Sequence, residues 1–304
     1  MSNKTKIVSK DYANSEFKTV GLVLILYCLF TLFLPLFLKG ILDVKGIERI
    51  KGYSSYEVAS FLCVLLGTVI PFMFLRRANK VRVRDFFNRT YLSVGEHLSN
   101  SVVYFIISAA AIFVTMMALS RFGISGELVS SIGIIISEEH ITDLFYVLSF
   151  VLLTPVLEEY AFRGVLLSSL SKYGKNFAII VGSVIYALAH GSFVEMVPSF
   201  IMGALLCKVA IKYESIWPTI VMHVSSNLLL YFFFMVPESY SFFMAIAFVL
   251  LLIIAIILVI TKKYEFIKIK MANNTREVMR TFARVPSIII ACLLFIIHSV
   301  LLML

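Results

Sequence analysis

Residues 241–260 read SFFMAIAFVLLLIIAIILVI, twenty positions without a charge. A hydrocarbon core about 30 Å thick is crossed by roughly 20 apolar residues in helical conformation, so this stretch predicts a transmembrane helix. Working outward, similar apolar runs lie near 19–38, 58–75, 100–120, 142–170, 177–191, 198–212, 218–235 and 286–304. The expected fold is therefore all-α, a polytopic integral membrane protein with eight or nine transmembrane helices. Composition agrees: 60% of the 304 residues are hydrophobic and 15% charged, against about 45–50% and about 25% in soluble chains. With 27 Phe and only 7 Pro, the chain is neither disordered nor collagen-like. Cys28, Cys63, Cys207 and Cys292 each sit in an apolar run and read as small buried hydrophobes, not a disulfide framework.

The charges between the runs alternate as the positive-inside rule requires. The connection after the second run carries Arg76, Arg77, Lys80, Arg82, Arg84 and Arg89 against Asp85 and Glu96. The one after the third holds Arg121 but also Glu127, Glu138, Glu139 and Asp143. The first is expected inside and the second outside, which makes the N-terminus cytoplasmic and the location the cell membrane. Because the polar MSNKTKIVSKDYANSEFK is too long for the n-region of a cleaved signal peptide, the first run reads as a retained anchor. Residues 262–285 hold Lys262, Lys263, Lys268, Lys270, Arg276, Arg280 and Arg284 against Glu265 and Glu277. They are expected as a topogenic inside loop, with an amphipathic helix gripping anionic lipid as the alternative. The net charge of +9 is thus accounted for by topology, and no nucleic-acid partner is implied. Pro198, Pro218, Pro237 and Pro286 are expected at helix starts, and Trp217, the single tryptophan, at the membrane interface.

Ionisable groups inside apolar runs are functional candidates by default. In LTPVLEEYAFRGVLL (153–167), Glu159 and Arg163 are four apart and share a helix face, whereas Glu158 is rotated about 100° away. One carboxylate is neutralised and the other is left available. In VIYALAHGSF (184–193), His190 closes an apolar segment, and in WPTIVMHVSSNLLL (217–230), His223 and Asn227 are again four apart. Each also has a bland reading: a structural ion pair, a packing histidine, and polar glue between helices. At about 1.5 Å per residue, Glu158 lies about 21 Å from Lys172 and His190 about 22 Å from Lys175, so the two reach the same depth. His223 lies only about 9 Å from Trp217. A carboxylate and a neutral imidazole sharing a water can activate it against a peptide carbonyl, while an imidazole and a carboxamide donate to the resulting oxyanion. Glu158, His190 and His223 also have the composition of a zinc site with two histidines and one carboxylate. HExxH is absent. The acidic EEHITD stretch from Glu138 to Asp143, with His140, reads as a solvated loop, and His97 and His298 as packing or loop residues.

In order, Glu158-Glu159-Tyr-Ala-Phe-Arg163, Tyr186-Ala-Leu-Ala-His190 and His223-Val-Ser-Ser-Asn227 resemble the EExxxR, FxxxH and HxxxN motifs of the CAAX protease and bacteriocin-processing (CPBP, or Abi) intramembrane proteases, which include the type II CAAX prenyl endopeptidases. FIMGALLCKV (200–209) and SIWPTIVMH (215–223) join the motifs, and the resemblance covers roughly 150–231. Tyr186 stands where the family usually has Phe. The resemblance implies residues 141–236 as the protease core, between N-terminal helices and loops over 1–140 and C-terminal helices with a basic loop over 237–304. It implies an intramembrane endopeptidase in which Glu158 and His190 activate water and His223 with Asn227 holds the oxyanion, with Glu159, Arg163 and Tyr186 orienting them. The implied substrate is a peptide or a lipidated protein. A metal-free site is favoured over zinc, because Asn227 is a natural oxyanion donor and a poor metal ligand. Two other classes remain open: a non-catalytic scaffold or bacteriocin immunity protein, and a transporter with a buried ionisable relay.

Overall fold

In hydrocarbon every backbone amide has to be bonded within the chain, and an apolar run meets that demand by becoming a helix. The computed structural model describes residues 10–47, 49–50, 53–82, 84, 86–87, 92–121, 144–235, 238–261 and 273–301. Helix α1 (Lys10–Cys28) passes through a π-helical segment, Leu29–Phe33, into α2 (Leu34–Lys45), which ends at Gly46 in the left-handed region (φ 63°). A two-residue antiparallel pair, with Arg49 opposite Ser54 and Ile50 opposite Tyr53, leads to α3 (Ser55–Ala78). Helix α4 (Val94–Ser120) opens with a capping box, the Ser93 Oγ accepting from the Glu96 amide while the Glu96 carboxylate accepts from the Ser93 amide.

The next helical run, α5, covers 144–171 and alternates α-helical with π-helical turns, the latter at Val147–Leu153 and Glu159–Leu166. It is followed by α6 (Lys175–Ala189), α7 (Phe193–Tyr213), α8 (Trp217–Met235), α9 (Ser241–Thr261), α10 (Asn273–Ala283) and α11 (Pro286–Leu301). Pro218 and Pro286 fall in the first turns of α8 and α11, as expected. Pro198 does not: it lies inside α7, because the extended Ser192 starts that helix earlier. Pro237, the Glu138–Asp143 stretch with His140, and the lysines at 262–270 lie outside the described residues.

Among the described residues, five helices are long and apolar enough to cross a bilayer, at 13–45, 55–78, 94–119, 195–213 and 242–261, or six with the bent pair formed by α10 and α11. That is fewer than the eight or nine expected. The helices bearing the three motifs are not among the five: α6 has only 15 residues, α5 carries Glu158, Glu159 and Arg163 within its run, and α8 spans 19 residues with His223 and Asn227 in its middle. The basic segment expected as a loop is helical over 273–283. Val278, Met279, Phe282 and Val285 recur at helical spacing and turn into the core, while Arg276, Glu277, Arg280 and Arg284 stay exposed. The segment is thus an amphipathic helix over these residues.

The main core joins α1, α3, α5, α6, α10 and α11 through Phe17, Phe72, Phe162, Phe177, Phe282 and Phe295, and α7 through Ala204, Cys207 and Ala210. Tyr27 meets both Phe72 and Phe162 edge-on at 5.7 Å, an arrangement that aromatic quadrupoles favour. Helices α1 and α11 approach so closely at Gly21 that a Cβ there would sit 2.6 Å from the Ser287 carbonyl carbon. The Ser287 hydroxyl donates to the Lys18 carbonyl (3.0 Å) across the same contact. Cys28, Cys63 and Cys207 are buried and Cys292 half-buried, all as free thiols.

Candidate active site

The three motifs meet between α5, α6 and α8. Glu158 ends an α-helical segment and Glu159 opens the π-helical turns at Glu159–Leu166, with ordinary α-helical dihedrals at both residues. From neighbouring positions on α5 both carboxylates reach one and the same partner, the His223 ring. Its Nδ1 lies 2.9 Å from Glu159 Oε1, and its Nε2 lies 4.0 Å from Glu158 Oε2.

Glu159 is fully buried, as is Arg163, whose Nη1 donates to Glu159 Oε1 at 2.9 Å. The expected pairing within α5 is present. Spacing within one helix could not reveal that the same carboxylate oxygen also receives His223, 64 positions downstream. Glu158 keeps 21% of its side chain exposed, so it is the carboxylate open to solvent or a ligand.

Tyr186 is the hub of the site. Its hydroxyl donates to Glu158 Oε2 at 2.9 Å, so the one departure from the family motif carries a hydrogen bond in addition to packing. The Arg163 guanidinium stacks 3.9 Å over its ring, and the His190 ring lies 4.6 Å away edge-on. His190 caps the C-terminal end of α6, with Nδ1 2.8 Å from the Tyr186 carbonyl oxygen. A carbonyl only accepts, so Nδ1 is the protonated nitrogen and Nε2 carries the lone pair. Asn227 lies one turn beyond His223 on the same face of α8 and is half-buried.

Two residues beside the motifs escape sequence reasoning. Tyr104 of α4 is buried with its ring 6.4 Å from that of His223. Nothing in the apolar run at 100–120 distinguishes it. Glu195, in the first turn of α7, lies within electrostatic range of His190 and Glu158. Its separation of five positions from His190 was a usable signal. His298 of α11 is buried against Gly191, the residue that follows His190 in left-handed conformation (φ 68°). A Cβ on Gly191 would lie 2.7 Å from the His298 ring nitrogen, so glycine is required at this turn.

Tyr186→Phe is expected to keep the stack on Arg163 and lose only the bond to Glu158. Its turnover should fall by less than about tenfold, the effect of one hydrogen bond of ordinary strength. Steady-state kinetics on the purified variant checks this, and a loss beyond about a hundredfold would make the hydroxyl part of the chemistry.

Among the described residues no three His, Cys, Asp or Glu side chains converge in a metal-binding arrangement, Glu158, His190 and His223 included. With Nδ1 of His223 on Glu159 and Nδ1 of His190 on a carbonyl, each imidazole has only Nε2 to offer a metal. No curated protein and no solved structure matches this chain. Residues 140–229, which contain all three motifs and every side chain of the Glu158–Tyr186–His223 cluster, match the family model of the type II CAAX prenyl endopeptidase Rce1-like proteins.

Proposed function

We propose that the chain is an intramembrane endopeptidase that hydrolyses a peptide bond in a membrane-associated peptide or lipidated protein, with Glu158 and His190 activating the water. The observation that carries this reading is the convergence of Glu158 and Glu159 on His223, with Tyr186 pinning the first carboxylate and Arg163 the second. A water about 2.8 Å from both His223 Nε2 and Glu158 Oε2 would subtend about 90° between them, an angle a water accommodates. One reacting oxygen therefore fits within reach of a base and a donor together.

In this reading His223 is a donor to the oxyanion. With Nδ1–H held by Glu159, Nε2–H is aimed at the reacting centre, and the Asn227 amide is the second donor on that face. His190, with Nδ1 on the Tyr186 carbonyl, has Nε2 left to face the water and serves as the acceptor.

In the proposed reaction the water oxygen bonds to the scissile carbonyl carbon as its proton passes to Glu158, with His190 as the assisting acceptor. The carbonyl oxygen becomes an oxyanion facing His223 Nε2–H and Asn227. Collapse breaks the C–N bond, and the proton passes from Glu158 to the leaving amine, which yields a new carboxyl terminus and a new amino terminus. No step is routed through a metal, because the arrangement does not fit one. The reading includes a multi-pass protein of the cell membrane, N-terminus cytoplasmic, with α5, α6 and α8 completing eight or nine crossings.

An Asn227 series tests it. Asn227→Ala is expected to lower turnover by about 10²–10³ with little change in apparent affinity, the effect of removing one oxyanion donor. Asn227→Asp should be worse, since a second carboxylate repels the oxyanion. The readout is fragment formation from membrane peptides by mass spectrometry. A scaffold gives no fragments with any variant, and a metal ligand at this position would let aspartate work as well as asparagine.

A further inference from the structure

Away from the active site, the turn between α10 and α11 bends the chain by 74°. Because α11 is locked against α1 by the Gly21 contact, the bend leaves a cavity of about 730 Å³ between the first turns of α1 and the polar face of α10. Lys18 from α1 and Arg280 and Arg284 from α10 line it, and all three are exposed. Asn14 and Ser15 add neutral donors, the Thr281 hydroxyl being donated to the Glu277 carbonyl (3.1 Å), and Glu277 is the one acid in the lining. Among the described residues no carboxylate forms an ion pair with Lys18, Arg280 or Arg284.

A row of exposed apolar side chains leads away from this cavity. Lys18 begins a series at intervals of four along α1, continued by Leu22 (51% exposed) and Leu26 (43%) and, in the π-helical segment that follows, Phe30 (42%). On α11, Ile289, Ile290 and Leu293 are similarly exposed beyond Pro286, which lines the cavity. The surface thus has one end made of cations and hydroxyl or amide donors and a body made of bare aliphatic side chains. A water-soluble anion would use only the first part, whereas a diacyl lipid uses both.

We propose that this cavity is a binding site for the phosphate headgroup of an anionic glycerophospholipid, whose acyl chains lie along the Leu22–Leu26–Phe30 row and the exposed face of α11. Arg280 and Arg284, one turn apart, offer forked donors to the phosphate oxygens. Lys18 lays its stem on the apolar row and delivers its ammonium to the same point. The bound lipid joins α10 to α1, two elements otherwise held together through Phe282 and Phe17 (rings 5.1 Å apart). Neither the site nor its ligand depends on the proteolytic reading.

The test titrates the purified full chain in neutral detergent with phosphatidylglycerol or phosphatidylcholine of identical acyl chains and counts bound lipid by native mass spectrometry. The wild type should prefer phosphatidylglycerol at least about tenfold, as three cations acting on one anionic headgroup imply. The triple variant Lys18→Gln, Arg280→Gln, Arg284→Gln should lose that preference. A control triple with the same change of charge, Lys175→Gln, Arg276→Gln, Lys212→Gln, alters exposed cations outside the cavity and should keep it. If the first triple cannot be purified, Arg284→Gln alone is read in the same way, with a measurable loss expected. Equal losses in the two triples, or an undiminished preference in the cavity variants, would overturn the site. Displacement of phosphatidylglycerol by millimolar inorganic phosphate would overturn the lipid assignment, because the cavity would then be reading the phosphate alone.

Discussion

Glu158→Gln is expected to lower peptide-bond cleavage by about 10²–10⁴ while leaving the protein folded in detergent, the range for loss of a general base. The substitution keeps the shape of the side chain and an oxygen able to accept from Tyr186, whose hydroxyl lies 2.9 Å from Glu158 Oε2. It removes only the capacity to take a proton. His190→Ala should show a loss of similar size for a different reason, since its Nε2 is the assisting acceptor and its ring packs 4.6 Å from Tyr186. Turnover per folded molecule, measured on one substrate for both variants, is the readout. A Glu158→Gln enzyme retaining more than a tenth of wild-type turnover would remove Glu158 from the role of base.

Arg163→Leu should be the most destabilising single change in the core, costing about 3–5 kcal/mol. Glu159 has no exposed surface, and removal of the guanidinium strands its carboxylate against apolar neighbours with the bond from His223 Nδ1 in place of an ion pair with arginine. The stack on Tyr186 at 3.9 Å is lost with it. The double variant Glu159→Gln, Arg163→Leu should be more stable than Arg163→Leu alone, because it removes the orphaned charge along with its partner. Thermal unfolding of the four proteins in one detergent gives the cycle. Were Arg163→Leu as stable as the wild type but inactive, Arg163 would act on the substrate and not on Glu159.

The activity of the double variant bears on how the site is organised. Glu159 holds His223 through Nδ1, so replacing it should reduce turnover even where stability is recovered. This couples the ion pair within α5 to the imidazole on α8. Neither residue touches the reacting atoms in the proposed reaction, and both act through the orientation of His223.

What the amino-acid sequence determined by itself is everything governed by backbone periodicity. Runs such as 241–260 have to become helices in hydrocarbon, since no other local structure satisfies their amides. Glu159 and Arg163 have to meet because they are four apart on one helical segment, and they meet at 2.9 Å. His223 and Asn227 share a face for the same reason, and residues 140–229 carry a family resemblance visible without coordinates. Only the tertiary structure decided what depends on how helices cross: that Glu159 also holds His223 across 64 positions, that the Tyr186 hydroxyl belongs to Glu158, and that Tyr104 and Glu195 border the site. It also decided that α6, which ends at His190, has only 15 residues, and that residues 273–283 form a helix bent 74° from the next. Pairings of this kind are set by where two helices can approach, as at Gly21 against Ser287. No local spacing rule encodes a crossing, because its free energy resides in contacts between residues far apart in the chain.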